Sequence, residues 1–146
     1  SVFVAGAMVG EFIGFWLIPR LRFRLSYERW LALSFVLQFL RIFTLALIGK
    51  IPFLTVWVFQ FLGGGSFAVI HSVITLVVDE VYPERVLYMA HGLKRFASNG
   101  VGNMLGLLIL GQAFELGVGV EAYLLISLGA AVMAVYFLLG RKRFTV

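Results

Sequence analysis

The sequence predicts an all-α membrane protein, a bundle of five membrane-spanning helices. Three observations carry that prediction. The 146 residues are 62% hydrophobic and 13% charged, with a mean hydropathy of +1.02. Soluble domains run near about 45–50% apolar and about 25% charged, and a water-soluble globule of this size has too little interior to hide the excess. The apolar residues also gather into five runs. A helix needs about 17–25 residues to cross roughly 30 Å of hydrocarbon, and all five runs qualify. Finally, the runs are continuously apolar, whereas barrel strands alternate polar and apolar. Backbone groups in lipid find no water, so such runs must be helices that satisfy their own hydrogen bonds.

In chain order the spans cover about residues 2–18, 30–48, 52–78, 86–114 and 122–139. The first carries Gly6, Gly10 and Gly14 at four-residue spacing, a face that lets another backbone approach closely. The second opens at Trp30, which suits the aromatic belt at a membrane surface. The third contains Gly63, Gly64 and Gly65 in a row, which invites either a bend or close packing. The fourth has its apolar body over residues 96–114, with a helical lead-in from Glu84 and Pro83 at the first turn. Ser98, Gly102 and Gly106 repeat the small-residue spacing there. Gly117 to Gly119 reads as a turn, and the fifth run follows it. Most other aromatics read as lipid-facing bulk.

The connections set an orientation. Arg20, Arg22, Arg24 and Arg29 lie between the first two spans, and Arg85, Lys94 and Arg95 between the third and fourth. Arg141, Lys142 and Arg143 follow the fifth. These ten of the twelve basic residues share one side, and the opposite loops hold Lys50, Glu115 and Glu121. The positive-inside rule makes the basic side cytoplasmic, so the chain starts outside and ends inside. A bare apolar helix starting outside, with no signal peptide, is expected in a piece of something longer, with an odd number of spans upstream.

Other function classes fall away. The net charge of +5 sits in the connections, so topology accounts for it and no nucleic-acid partner is expected. There are no cysteines and two histidines, His71 and His91, so neither a thiolate nor a histidine metal cage is expected, and no cofactor. The metalloprotease, hydrolase and phosphate-loop motifs of enzymes are absent.

Three ionisable residues lie inside the apolar runs: Glu11, Arg41 and His71. Each charge at the bilayer centre costs about 2.5–3.5 kcal/mol on insertion scales, and such residues ordinarily mark a polar substrate site or proton path. They occupy three consecutive helices, and from their positions along the spans all lie within roughly 10 Å of the midplane. A bundle therefore brings them around one cavity. Gln38 shares a helix face with Arg41, and Asn99 with Asn103; with Gln60 they are candidate lining residues, and interhelical hydrogen bonding is the equal alternative. A rival reading is bland. Glu11 and Arg41 form a structural ion pair, and the chain is a small non-transporting membrane subunit.

At this point the pattern resembles the C-terminal half of a major facilitator superfamily transporter, nearest to proton symporters of the lactose permease and phenylpropionate permease type. Glu11, Arg41 and His71 match the Glu, Arg and His of that subgroup's eighth, ninth and tenth helices. Val81-Tyr82-Pro83-Glu84-Arg85 followed by Met89-Ala90-His91-Gly92-Leu93 is similar to the family's entry to its eleventh helix. Gly100, Gly102 and Gly106, then Gly111 to Gly117, resemble that helix and its exit. The resemblance implies helices eight to twelve of a twelve-helix fold and a missing N-terminal half of the same chain. It also implies alternating access around a midplane site and symport of a sugar, nucleoside or aromatic acid with H⁺ across a bacterial inner membrane. Glu11 would contact substrate or couple it to the proton, Arg41 would hold an acid, and His71 would join the network. The lactose permease pattern places a second acid one turn after the His, where Ile74 and Thr75 stand here. That leaves Glu11, or an acid of the missing half, as the proton carrier.

Overall fold

The computed structural model describes residues 2–21 and 26–139. Its elements, in order, are α1 (Val2–Leu21), α2 (Tyr27–Ala46), α3 (Phe53–Val81), α4 (Glu84–Arg95), a π-helical segment (Phe96–Gly102), α5 (Asn103–Glu115) and α6 (Gly119–Leu139). There is no strand among the described residues; Ile48 and Ile51 form an isolated bridge in the α2–α3 turn. Three helices, α2, α3 and α6, are long and apolar enough to cross a membrane, and α1 is apolar over Val4–Ile18. This is an all-α membrane fold. Arg22, Arg24, Arg141, Lys142 and Arg143 of the basic clusters lie outside the described residues, as does the side chain of Arg20.

Local chemistry sets the boundaries. α2 begins three residues before the apolar run because Ser26, in extended conformation, starts the helix, its carbonyl accepting from Arg29 and Trp30 N–H at 3.1 Å each. Pro83 stands at the N-cap of α4, one place before the first turn, with its carbonyl accepting from Val86 N–H at 3.0 Å. Past Arg95 the helix widens for seven residues. That stretch is rich in weak helix formers, and Ser98 Oγ donates back to the Lys94 carbonyl at 2.9 Å, a bond that competes with the helical ladder. α5 ends in a Schellman arrangement: Val118 N–H bonds the Ala113 carbonyl at 2.8 Å, and Gly117 N–H the Phe114 carbonyl at 3.1 Å. Gly117 sits at φ +75°, so the predicted turn is there and depends on glycine.

The chain forms two compact units, Ser1–Val73 with Tyr123–Val146, and Ile74–Ala122. In the first, α1 lies against α3 with almost nothing between the backbones. A Cβ placed on Gly10 would sit 1.9 Å from the Phe61 carbonyl oxygen, and one on Gly64 would sit 1.9 Å from that of Ala7. Gly14 meets Ala68 and Gly65, while Gly6 carries the indole of Trp57. The glycine face of the first span is thus a backbone-to-backbone seam. α2 joins α3 by polar contacts: Gln38 Nε2 donates to the Gly63 carbonyl (3.0 Å) and to Ser66 Oγ (3.1 Å). Phe35 of α2 stacks on Phe137 of α6 with ring centroids 5.7 Å apart. The most deeply buried residues include many small ones, Ala32, Ser34, Val56, Ser66, Ala68, Val73 and Ser127, as expected where van der Waals packing replaces the hydrophobic effect.

In the second unit the tail of α3 meets α4. His91 Nε2 pairs with Asp79 Oδ1 at 2.8 Å, and Lys94 donates to Thr75 Oγ1. Here the predicted small-residue face behaves differently. A Cβ on Gly106 would meet no atom within 4 Å, and one on Gly102 only the helix's own Ala97 carbonyl.

Candidate functional site

The three glycines of α3 organise a cavity. The helix runs through them with no unwound turn, and Gly63 and Gly64 are close-packing positions. Each glycine faces something different. A Cβ on Gly63 would lie 2.2 Å from Arg41 Cδ, so its absence seats the aliphatic stem of Arg41 from α2. A Cβ on Gly64 would meet Ala7 and, at 3.0 Å, the backbone nitrogen of Glu11, so its absence seats α1 at Glu11. Gly65 has room to spare, its nearest contact being the Gly10 carbonyl oxygen at 3.5 Å.

Beside these glycines opens a cavity of about 510 Å³ lined by Val4, Ala7, Met8, Glu11, Arg41, Leu45, Gln60, Gly64, Phe67 and Tyr123. That volume falls within the range of small-molecule sites, about 300–1,000 Å³. Arg41 Nε donates to Gln60 Oε1 at 2.9 Å. Gln60 is only 3% exposed, and its Nε2 is buried with no hydrogen-bond partner among the described residues. Glu11 and Arg41 act on one another electrostatically across the cavity, but no ion pair within 4 Å joins them among the described residues. An acid and a base from adjacent helices thus share one space without closing on each other.

The remaining candidates fall elsewhere. His71 is outside the lining, packed edge-on to Phe15 (centroids 5.8 Å) and against Phe67 (6.3 Å), the ring that does line the cavity. Gln38 is used between helices, on Gly63 and Ser66. Asn99 and Asn103 belong to the second unit, where both are exposed, and Asn99 Oδ1 accepts from Ser98 at 3.3 Å. Sequence reasoning passed over Tyr123, because nothing but its place near the start of α6 marks it. It also passed over Asp79, which pairs with His91. The aromatics are not all lipid-facing bulk: Trp57 covers Gly6 and stacks on Phe61 at 6.0 Å. A second cavity of about 210 Å³ between α1, α2 and α3 is lined by apolar residues, glycines, Ser34 and Ser66, with no ionisable group. It offers packing volume rather than chemistry.

No curated protein and no solved structure matches the chain. The family comparison does give a match, with the MFS_1 like family over residues 1–125, and the chain therefore belongs to that family of major-facilitator-related membrane transporters.

Proposed function

We propose that this chain supplies helices eight to twelve of a proton-coupled symporter of the lactose permease and phenylpropionate permease type, moving a sugar, nucleoside or aromatic acid by alternating access. The observation that carries the reading is the cavity shared by Glu11 and Arg41. Two intramembrane charges that satisfied each other would be structural; two that face a common space are placed to receive a solute or a proton. The rival of a non-transporting subunit needs Glu11 and Arg41 as an ion pair, and the separation of the two argues against it. In the proposed cycle Arg41 holds the polar end of the solute and Glu11 takes and releases the proton. His71 acts through Phe67, one ring removed from the cavity. The basic connections place the N-terminal end of this segment outside and its C-terminal end in the cytoplasm of a bacterial inner-membrane protein, with the N-terminal half of the same chain completing the pathway.

The test is solute accumulation driven by an imposed pH gradient, in proteoliposomes of the full-length protein. Glu11→Gln is expected to abolish accumulation. Accumulation at the unmodified level would remove Glu11 from the coupling step.

A further inference from the structure

We infer that the cavity is a carboxylate site in which Arg41 and Gln60 act as one clamp for the anionic end of an organic acid. This rests on the transport reading above and deepens it by naming the solute class. A guanidinium presents five N–H donors in a planar fork, and among the described residues Nε alone is engaged, by Gln60 Oε1 at 2.9 Å. That bond and the seat on Gly63 fix the guanidinium at both ends of its stem. The terminal nitrogens are left for a ligand. A fixed fork matches the two oxygens of a carboxylate, where a neutral solute offers single hydroxyls.

Gln60 provides the independent observation. Its oxygen is used by Arg41 and its Nε2 is buried and unpartnered, in a residue that lines the cavity. A buried donor without an acceptor costs about 1–3 kcal/mol, so this side chain is short of an acceptor beside a cation. Glu11 does not supply it, since no hydrogen bond joins Glu11 to Gln60 among the described residues. A carboxylate has lone pairs enough for the Arg41 fork and for Gln60 Nε2 together. Val4, Met8, Leu45 and Phe67 make the rest of the wall apolar, which suits an acid with a hydrocarbon body.

Glu11 then ties the acid to a proton. Two carboxylates in one membrane cavity repel unless one of them is protonated. The groups facing Glu11 are Arg41 from α2, Gln60 and Phe67 from α3 and Tyr123 from α6, while His71 lies against Phe15 and Phe67. Of those in the cavity only Arg41 is a cation, so a solute that occupies it leaves Glu11 to be neutralised by H⁺. Acid and proton bind together.

The experiment is calorimetric binding to the full-length protein in nanodiscs. Benzoate, hexanoate and galacturonate are each set against an uncharged counterpart: benzamide, hexanamide and galactose. At least one acid is expected to bind at least about tenfold more tightly than its counterpart. Gln60→Glu keeps an acceptor for Arg41 Nε but puts an oxygen where the donor stood, and should erase that preference. Arg41→Lys keeps the charge, loses the fork, and should weaken the acid at least about tenfold. Acid affinity should fall with rising pH, by up to about tenfold per unit for one linked proton, and Glu11→Gln should remove the dependence. Acids and counterparts that bind alike, or not at all, in the unmodified protein overturn the inference without any variant. So does an unchanged preference in a folded Gln60→Glu protein. If the inference fails, Glu11-dependent, proton-driven uptake of a neutral solute leaves the symport reading standing; without such uptake both fall.

Discussion

Replacing Gly64 by Ala separates the roles of neighbouring glycines by their contacts alone. The new Cβ would be built 1.9 Å from the Ala7 carbonyl oxygen, 2.8 Å from its carbon and 3.0 Å from the nitrogen of Glu11. Ordinary contact begins near 3.4 Å, so α1 and α3 must part by about 1.5 Å along that line. All three atoms are backbone, and no rotamer change relieves them. Overpacking costs about 1–3 kcal/mol, and the upper end applies here because the Gly10–Phe61 contact opens as well. The better helix propensity of Ala offsets up to about 1 kcal/mol, leaving about 2 kcal/mol, roughly a thirtyfold loss in the folded-to-unfolded ratio. Gly65→Ala is the control. Its Cβ meets only the Gly10 oxygen at 3.5 Å, so it should be neutral or stabilising by up to about 1 kcal/mol. Unfolding of the purified full-length protein, by heat or by graded denaturing detergent, reads the difference between adjacent positions. Equal stability of the two variants, or greater damage from Gly65→Ala, would refute the seam between α1 and α3.

Three further perturbations follow from the same geometry. Gly63→Ala pushes on the Arg41 side chain, 2.2 Å away at Cδ, rather than on backbone; the stem yields, so uptake should fall severalfold with little loss of thermal stability, and the reverse pattern would refute the seat. Glu11→Gln and Arg41→Gln should be non-additive by about 0.5–3 kcal/mol in solute-binding free energy, the double variant being less damaged than the sum of the singles; strict additivity would mean the two do not share a site. Gly117→Ala forces a side chain onto φ +75° and should cost about 1–2 kcal/mol in unfolding experiments, whereas Gly111→Ala, which meets nothing within 4 Å, should not.

The fold class was legible because lipid leaves few options: continuous apolar runs of this length must be helices, and α1, α2, α3 and α6 fall where the runs do. The Gly6–Gly10–Gly14 face was legible as a close-packing surface for the same reason, that small residues at four-residue spacing share a side. What it packs against was not. The glycine spacing of α1 names no partner helix, and α6 is so nearly apolar all round that nothing in its pattern says which face turns inward. In the equally regular spacing of the next glycine face, Gly102 and Gly106 meet no other helix of their own unit. Glu11 and Arg41 were found because charge inside an apolar run is conspicuous, and Gln60 because it is polar. Gln38, equally polar and on the face of Arg41, is spent on Gly63 and Ser66. Spacing places a residue along a helix, but helix rotation decides whether its side chain bonds a neighbour or faces a cavity.

The glycines also explain why the acid and the base do not simply neutralise each other. α3 docks α2 through Gly63, Gln60 and Ser66, and α1 through Gly64, so Arg41 and Glu11 are each held against the same helix one residue apart. Arg41 Nε is tied to Gln60 Oε1, and a movement that broke this bond would strand a second polar atom of a glutamine whose Nε2 is already unpaired. Such a loss costs about 1–3 kcal/mol before any distortion of the stem on Gly63 is counted. The cavity is open, and no ion pair within 4 Å joins Glu11 to Arg41 among the described residues. In the proposed symport an anion at Arg41, a proton at Glu11, or both would answer that separation. The same two glycines that let the helices approach seat Arg41 and Glu11 on one helix without pairing them, and under the proposed reading that separation is what leaves work for a solute and a proton.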